Sequence, residues 1–186
     1  MARLRRSFYA QDCLTVAPAL VGCHLVHDVG GEIRRGRIVE VEAYVHEEDQ
    51  ACHARFGRTK RASTLYGPPG RSYVFLIYGF WNCFNVVCEP EHSPAAVLIR
   101  ALEPDPPLDG GTNGPGLLCR ALGITRAHND VDLVRGSPLW IEPRTGSPRI
   151  VATPRIGVDY AGEWAARPWR FVDGDSKWLS RKIKPR

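Results

Sequence analysis

The sequence predicts an α+β domain built on a curved, predominantly antiparallel sheet with flanking helices, and three observations predict it. Two pairs of β-type runs are each joined at glycine, one pair at Gly30-Gly31 and one at Gly79. Helical patterning is confined to two short stretches, residues 8–22 and 117–122, that do not alternate with the strands. No repeat and no linker breaks the 186 residues, a length that suits one domain with a sizeable core.

Residues 8–22 read as a short helical opening, capped by Asp12 or Thr15 and ended by Gly22. Residues 25–29 alternate, Gly30-Gly31 turns the chain, and residues 33–44 resume as the second arm of a hairpin. Residues 45–71 have no clear period and contain Pro68-Pro69-Gly70, so they read as an ordered functional loop. Strands follow at 72–78 and 80–88, with Tyr78-Gly79-Phe80-Trp81 as an aromatic hairpin tip. Tyr78 beside Gly79 reads as exposed, Trp81 as core. Residues 95–102 form another apolar strand that carries Arg100, a charge that needs a partner such as Glu42 if buried. The stretch 103–116 is rich in Pro and Gly; residues 117–122 form a short helix stopped near Gly123, and 140–142 and 150–151 are short strands.

The octapeptide Arg37-Ile38-Val39-Glu40-Val41-Glu42-Ala43-Tyr44 carries the most chemistry. Its alternation places Glu40, Glu42 and Tyr44 on one face and Val39, Val41 and Ala43 on the other. The two carboxylates then lie about 6.5–7 Å apart. If their face is buried, at least one pKa is expected to rise, giving an activated carboxylate beside an aromatic ring. Taken alone, the octapeptide favours a half-exposed strand with a solvated acidic face.

Composition is that of an ordinary globular protein, 44% hydrophobic and 24% charged. No run of 18 apolar residues is present, which excludes a spanning helix, and the N-terminus does not read as a secretory signal, so a cytoplasmic protein is expected. The six cysteines are scattered without a Cys-x-x-Cys pair; thiols packed as small hydrophobes account for them, and neither metal nor cofactor is expected. Net charge is +5, unevenly placed. The segment 50–88 has no acidic residue, carries Arg55, Arg58, Lys60, Arg61 and Arg71, and holds eight aromatic rings from Phe56 to Phe84. Basic residues interleaved with aromatics compose a nucleic-acid surface. Basic ends at 1–6 and 176–186 are expected to be solvated and free to move.

Together these motifs resemble the alkyladenine or 3-methyladenine (methylpurine) DNA glycosylase family. The resemblance rests on the strand ending Glu42-Ala43-Tyr44, Glu47-Glu48-Asp49, His53, the Tyr73–Tyr78 hairpin, Asn85 and Arg100-Ala101-Leu102-Glu103-Pro104. It continues through Gly114-Pro115-Gly116, Ala121-Leu122-Gly123-Ile124, Arg155-Ile156-Gly157, Glu163-Trp164-Ala165 and Pro168-Trp169-Arg170-Phe171. It implies one domain over residues 1–186 with a fold similar to the C-terminal domain of formyltransferases. It also implies a monomer that takes damaged purines out of double-stranded DNA with no metal or cofactor. The substrate class would be 3-methyladenine, 7-methylguanine, hypoxanthine and ethenoadenine.

Residue by residue, the resemblance makes Glu42 the general base that activates water. Arg100 and the backbone carbonyl of Ile156 would be that water's other contacts. Tyr44 and His53 would stack on and hydrogen-bond the flipped purine, with Phe75 as a second stacking ring that lacks the family's usual hydroxyl. Asn85 would disfavour guanine at its 2-amino group, and Tyr78 would fill the vacated stack. Arg55, Arg58, Lys60 and Arg61 are the leading candidates for phosphate contacts. Two departures stand out: Leu117 where relatives usually carry Lys, and a short, Pro-rich segment at 105–113 where many place a helix. Competing readings are a non-catalytic nucleic-acid-binding module on the same fold, and a glycoside or nucleoside hydrolase using Glu40 and Glu42 as its carboxylate pair.

Overall fold

The computed structural model describes residues 2–183. Helix α1 (Arg6–Tyr9) leads into α2 (Cys13–Leu20), and Asp12, not Thr15, caps it: the Asp12 carboxylate accepts from the Leu14 and Thr15 amides. Such a cap contributes about 1 kcal/mol. Strands β1 (His24–Val29) and β2 (Glu32–Val45) form the first hairpin, with Val29 opposite Glu32. Gly30 and Gly31 take φ of 64° and 97°, the left-handed pair that a tight hairpin requires. Strands β3 (Ser72–Ile77) and β4 (Trp81–Val87) form the second hairpin, and β5 (Ala95–Pro104) follows. Helix α3 (Pro115–Leu122) starts on a proline and stops at left-handed Gly123; residues 105–113 contain no helix. Strands β6 (Leu139–Glu142), β7 (Ile150–Thr153) and β8 (Arg170–Asp173) complete a curved eight-stranded sheet in which every pairing is antiparallel.

The sheet runs β3-β4-β5-β2-β1-β6, and β8 joins β2 while β7 joins β8. Strand β2 is therefore the hub. Along one edge it pairs first with β1 and then, at Glu40–Glu42, with β8; a bulge lies between Ile38 and Val41. The bulge shifts the phase of the strand, so Ile38 joins Val41 and Ala43 in the main core, and a strict alternation from Val39 does not hold. Strand β8 is not legible as a strand in the sequence. Its polar ends are buried because each has a specific partner, Arg170 with Glu40 and Asp173 with Arg37.

The two faces of the sheet separate core from site. On β5, Ala95, Val97 and Ile99 enter the core with α2 and α3, while Ala96, Leu98 and Arg100 line a cavity on the other side. All six cysteines are buried and free. Among the described residues, no helix is long and apolar enough to cross a membrane, and no group of three or more His, Cys, Asp or Glu side chains is arranged to hold a metal ion.

The basic ends are more engaged than a solvated reading expects. Leu4 is buried, Arg3 donates to the Ser137 carbonyl and lies over Trp140, and Arg6 pairs with Asp132. In the C-terminal segment the Ser180 backbone N–H and hydroxyl both donate to Glu40, while Lys177, Arg181 and Lys182 stay exposed. Residues 184–186 of that segment lie outside the described residues.

Candidate active site

A cavity of about 470 Å³ opens on the sheet face opposite the core, within the size range of small-ligand pockets. Tyr44, His53, Phe75, Asn85, Arg100 and Ile156 all line it, and Tyr78 stands at it as well. Residues up to 112 positions apart in sequence are thus brought to one place: strands β2 to β5 supply the walls, and the loops after β2 and β7 close over them.

Glu42 lies behind this wall and has no solvent exposure. One carboxylate oxygen accepts from the Ile156 amide at 2.7 Å. The other accepts from the Tyr44 hydroxyl at 2.8 Å and from an Arg100 terminal nitrogen at 3.3 Å. A carboxylate offers about four acceptor positions. Three are filled, and the free one lies on the Ile156 side. Arg100 has used three of its five N–H donors, one each toward Glu40, Glu42 and Ser180, so two remain. Ile156 meets Glu42 through its backbone N–H, a contact separate from the one its carbonyl is expected to make with the water.

Glu40 is equally buried, which overturns the solvated acidic face. Its pKa does not rise. Burial pushes the carboxyl up, but hydrogen bonds from Arg170 and Ser180 and the charges of Arg170 and Arg100 outweigh it and hold it below the usual carboxylate range. Glu40 does not line the cavity. Fully buried and tied by Arg100 at 3.0 Å, Arg170 at 2.8 Å and Ser180 at 2.6 Å, it cannot reach a substrate as the second carboxylate of a hydrolase pair. That competing reading is therefore dropped.

The aromatic wall is cross-braced. The His53 Nδ1 and the Tyr73 hydroxyl share a hydrogen bond of 2.9 Å, and His53 meets Phe75 edge-on at 4.5 Å. Burial, together with the charges of Arg61 and Arg55, lowers the His53 pKa to about 4. Its ring is then neutral at neutral pH and does not repel a cationic guest. Tyr73 was not singled out from the sequence. The signal for it was there, because Tyr73 and Phe75 are two apart on one strand and so share a face. Tyr44 is backed by Arg155, whose guanidinium lies 4.8 Å from the ring centre. Arg155 is itself fixed by two bonds to Asp49, at 2.5 and 2.8 Å, with both side chains fully buried. Asn85 donates its amide nitrogen to the Tyr73 carbonyl at 3.0 Å, which pins the side chain in place.

The hairpin tip stands clear of the domain. Tyr78 is 80% exposed and Phe80 67%. Tyr78 takes φ of 53° and Gly79 of 79°, so a bulky residue occupies a left-handed position that Gly or Asn would fill at less cost. Trp81, expected in the core, is half-buried instead and lines the cavity. It packs flat on α3, where a side chain at Gly116 would come within 2.5 Å of its ring, and Arg120 lies over it. Leu117 extends the same apolar side of the cavity.

The basic candidates divide. Arg61 donates to the Leu76 carbonyl, lies over Phe75 and lines the cavity. Arg55 is held between the exposed rings of Phe56 and Tyr160. Arg58 and Lys60 are exposed on the loop between them.

The family model for methylpurine-DNA glycosylase (MPG) matches residues 7–177. A protein of Anaeromyxobacter dehalogenans, strain 2CP-C, is 53% identical over 96% of this chain and 87% of its own length. One from Myxococcus xanthus is 50% identical over 98% of this chain and 95% of its own. One from Methanocella arvoryzae is 45% identical over 98% of both. Each carries the name "Putative 3-methyladenine DNA glycosylase". With a match of that length at that identity, the chain belongs to the methylpurine-DNA glycosylase family.

Proposed function

We propose that this DNA-repair glycosylase extrudes an alkylated or deaminated purine from duplex DNA and hydrolyses its N-glycosidic bond with a water activated by Glu42, leaving an abasic site. The observation that carries the reading is a fully buried carboxylate with one open acceptor, set behind an aromatic cavity that has an exposed tyrosine at its edge. A ring-methylated purine such as 3-methyladenine or 7-methylguanine leaves with its positive charge neutralised, so it needs no strong acid, and the site has to supply mainly a base for water. Tyr44, Phe75 and neutral His53 offer ring faces and edges to such a base. Asn85, pinned by its own amide, crowds a 2-amino group, so guanine-type bases such as 7-methylguanine are accepted less readily than adenine-type ones. Arg58 and Lys60, with Arg55 beside them, contact phosphates. The acting unit is proposed to be a monomer.

The test is a duplex carrying one methylated or deaminated purine. Release of the free base, with a strand that breaks only after alkali, supports the reading; no release from any of these substrates sinks it.

Two expected results follow from the geometry. Tyr78→Ser should slow excision from paired sites by about 10-fold or more, since a lost aromatic–base stack is worth roughly 1–3 kcal/mol. Poorly stacked sites should be affected much less. Equal slowing at both kinds of site would show that Tyr78 is not the wedge. The second concerns strand cleavage, which in a bifunctional glycosylase goes through a Schiff base with an amine. Among the described residues no lysine lines the cavity; Lys60, Lys177 and Lys182 are exposed elsewhere. Borohydride added during turnover should therefore trap no protein–DNA adduct. An adduct that vanishes in Lys60→Ala would replace water with a lysine nucleophile.

A further inference from the structure

We infer that Ser180, reaching in from the C-terminal segment, acts with Glu40 as a positioning pair that keeps the Arg100 guanidinium end-on to Glu42. The inference rests on the glycosylase reading of the site.

The hydrogen bonds of the cluster close on themselves. Arg100 sends one nitrogen to each of three acceptors: Nε to Glu40 at 3.0 Å, one terminal nitrogen to Glu42 at 3.3 Å, and the other to the Ser180 hydroxyl at 3.4 Å. The Ser180 hydroxyl passes its own proton to Glu40 at 2.6 Å, and the Ser180 backbone N–H donates to the other Glu40 oxygen, also at 2.6 Å. One hydroxyl thus accepts from Arg100 and donates to Glu40, using both of its capacities. Glu40 is further held by Arg170 at 2.8 Å, so one of its oxygens accepts from three donors and the other from the Ser180 N–H. A carboxylate buried away from the cavity and tied by four donors is out of reach of substrate and makes a stiff anchor.

Of the two bonds Arg100 makes to carboxylates, the one to Glu40 is the shorter, 3.0 against 3.3 Å, so the location of Arg100 is set by the anchor. This matters because an unanchored guanidinium prefers a two-pronged grip on a carboxylate. Arg100 released from Glu40 and Ser180 would swing onto both oxygens of Glu42 and fill the acceptor left open for water. Ser180 and Glu40 touch neither cavity nor substrate. Their effect on the reaction passes through Arg100.

Ser180→Ala carries the test because it removes a hydroxyl and no charge. Full-length wild type, Ser180→Ala, Ser180→Thr and Glu42→Gln are compared on a duplex holding one methylated or deaminated purine. The measurements are single-turnover rate at saturating enzyme, dissociation constant and melting temperature. The expected result is a rate lowered about 10-fold in Ser180→Ala, as for loss of a hydrogen bond to a charged group. Affinity and melting temperature should stay unchanged, and Ser180→Thr should recover most of the rate. A wild-type rate in Ser180→Ala, a threonine variant as slow as alanine, or a rate loss that merely follows lost affinity or stability would overturn the inference. Inactive Glu42→Gln beside normal Ser180→Ala removes only the positioning role. Active Glu42→Gln instead removes the reading of Glu42 as base, on which the inference depends.

Discussion

Glu42→Gln is expected to lower single-turnover excision by about 10²–10⁴-fold, to the edge of detection, while binding of damaged duplex changes little. Glutamine keeps the outline of the side chain and cannot take a proton from water. It also has one acceptor oxygen where the native carboxylate uses two. The amide nitrogen of glutamine would have to face either the Ile156 N–H or the donors on Tyr44 and Arg100. A melting curve recorded alongside separates that local mismatch from the lost chemistry. Near-normal excision would show that another group activates the water.

Asp49→Asn is expected to destabilise the fold by about 3–5 kcal/mol, because it strips the counter-charge from Arg155 in a site where neither side chain has any exposure. For a chain of this size that is a fall of roughly 6–20 °C in melting temperature. The damage should concentrate at the site. Arg155 also donates to the Ala43 and Trp164 carbonyls and backs the ring of Tyr44, so it ties the loop after β7 to the loop after β2. Thermal melts and chemical denaturation measure the loss. A shift of less than about 1 kcal/mol would mean that water reaches Arg155 and screens it.

Much of this was legible in the sequence, for reasons that differ from residue to residue. The two hairpins were readable because their turns carry glycine and their arms alternate, and that signal is local. The candidate site residues came from a resemblance along the whole chain, and the structure brings Tyr44, His53, Phe75, Asn85, Arg100 and Ile156 to one cavity with Glu42 directly behind it. The state of the acidic pair was not readable. Counting carboxylates on β2 cannot show that two arginines and a serine from distant segments surround Glu40, where they outweigh the upward push of burial and leave its pKa lowered. Strand β8 was missed for a related reason. Arg170 and Asp173 look like surface residues until Glu40 and Arg37 are placed beside them. The bulge in β2 also escaped notice, because a strand pattern read by period two has no place for an extra residue.

The wide spacing of the partners of β2 has a consequence for how the molecule acquires its activity. Glu42 is completed by residues 58 and 114 positions away, and Glu40 by residues 130 and 140 positions away. Contacts of that separation form late, because the loop-closure entropy comes due before they stabilise anything. A growing or refolding chain will hold its hairpins well before it holds a site. Excision activity should therefore return with the last phase of refolding, and a collapsed chain still lacking β8 would place two carboxylates and an arginine together without the groups that keep them in order.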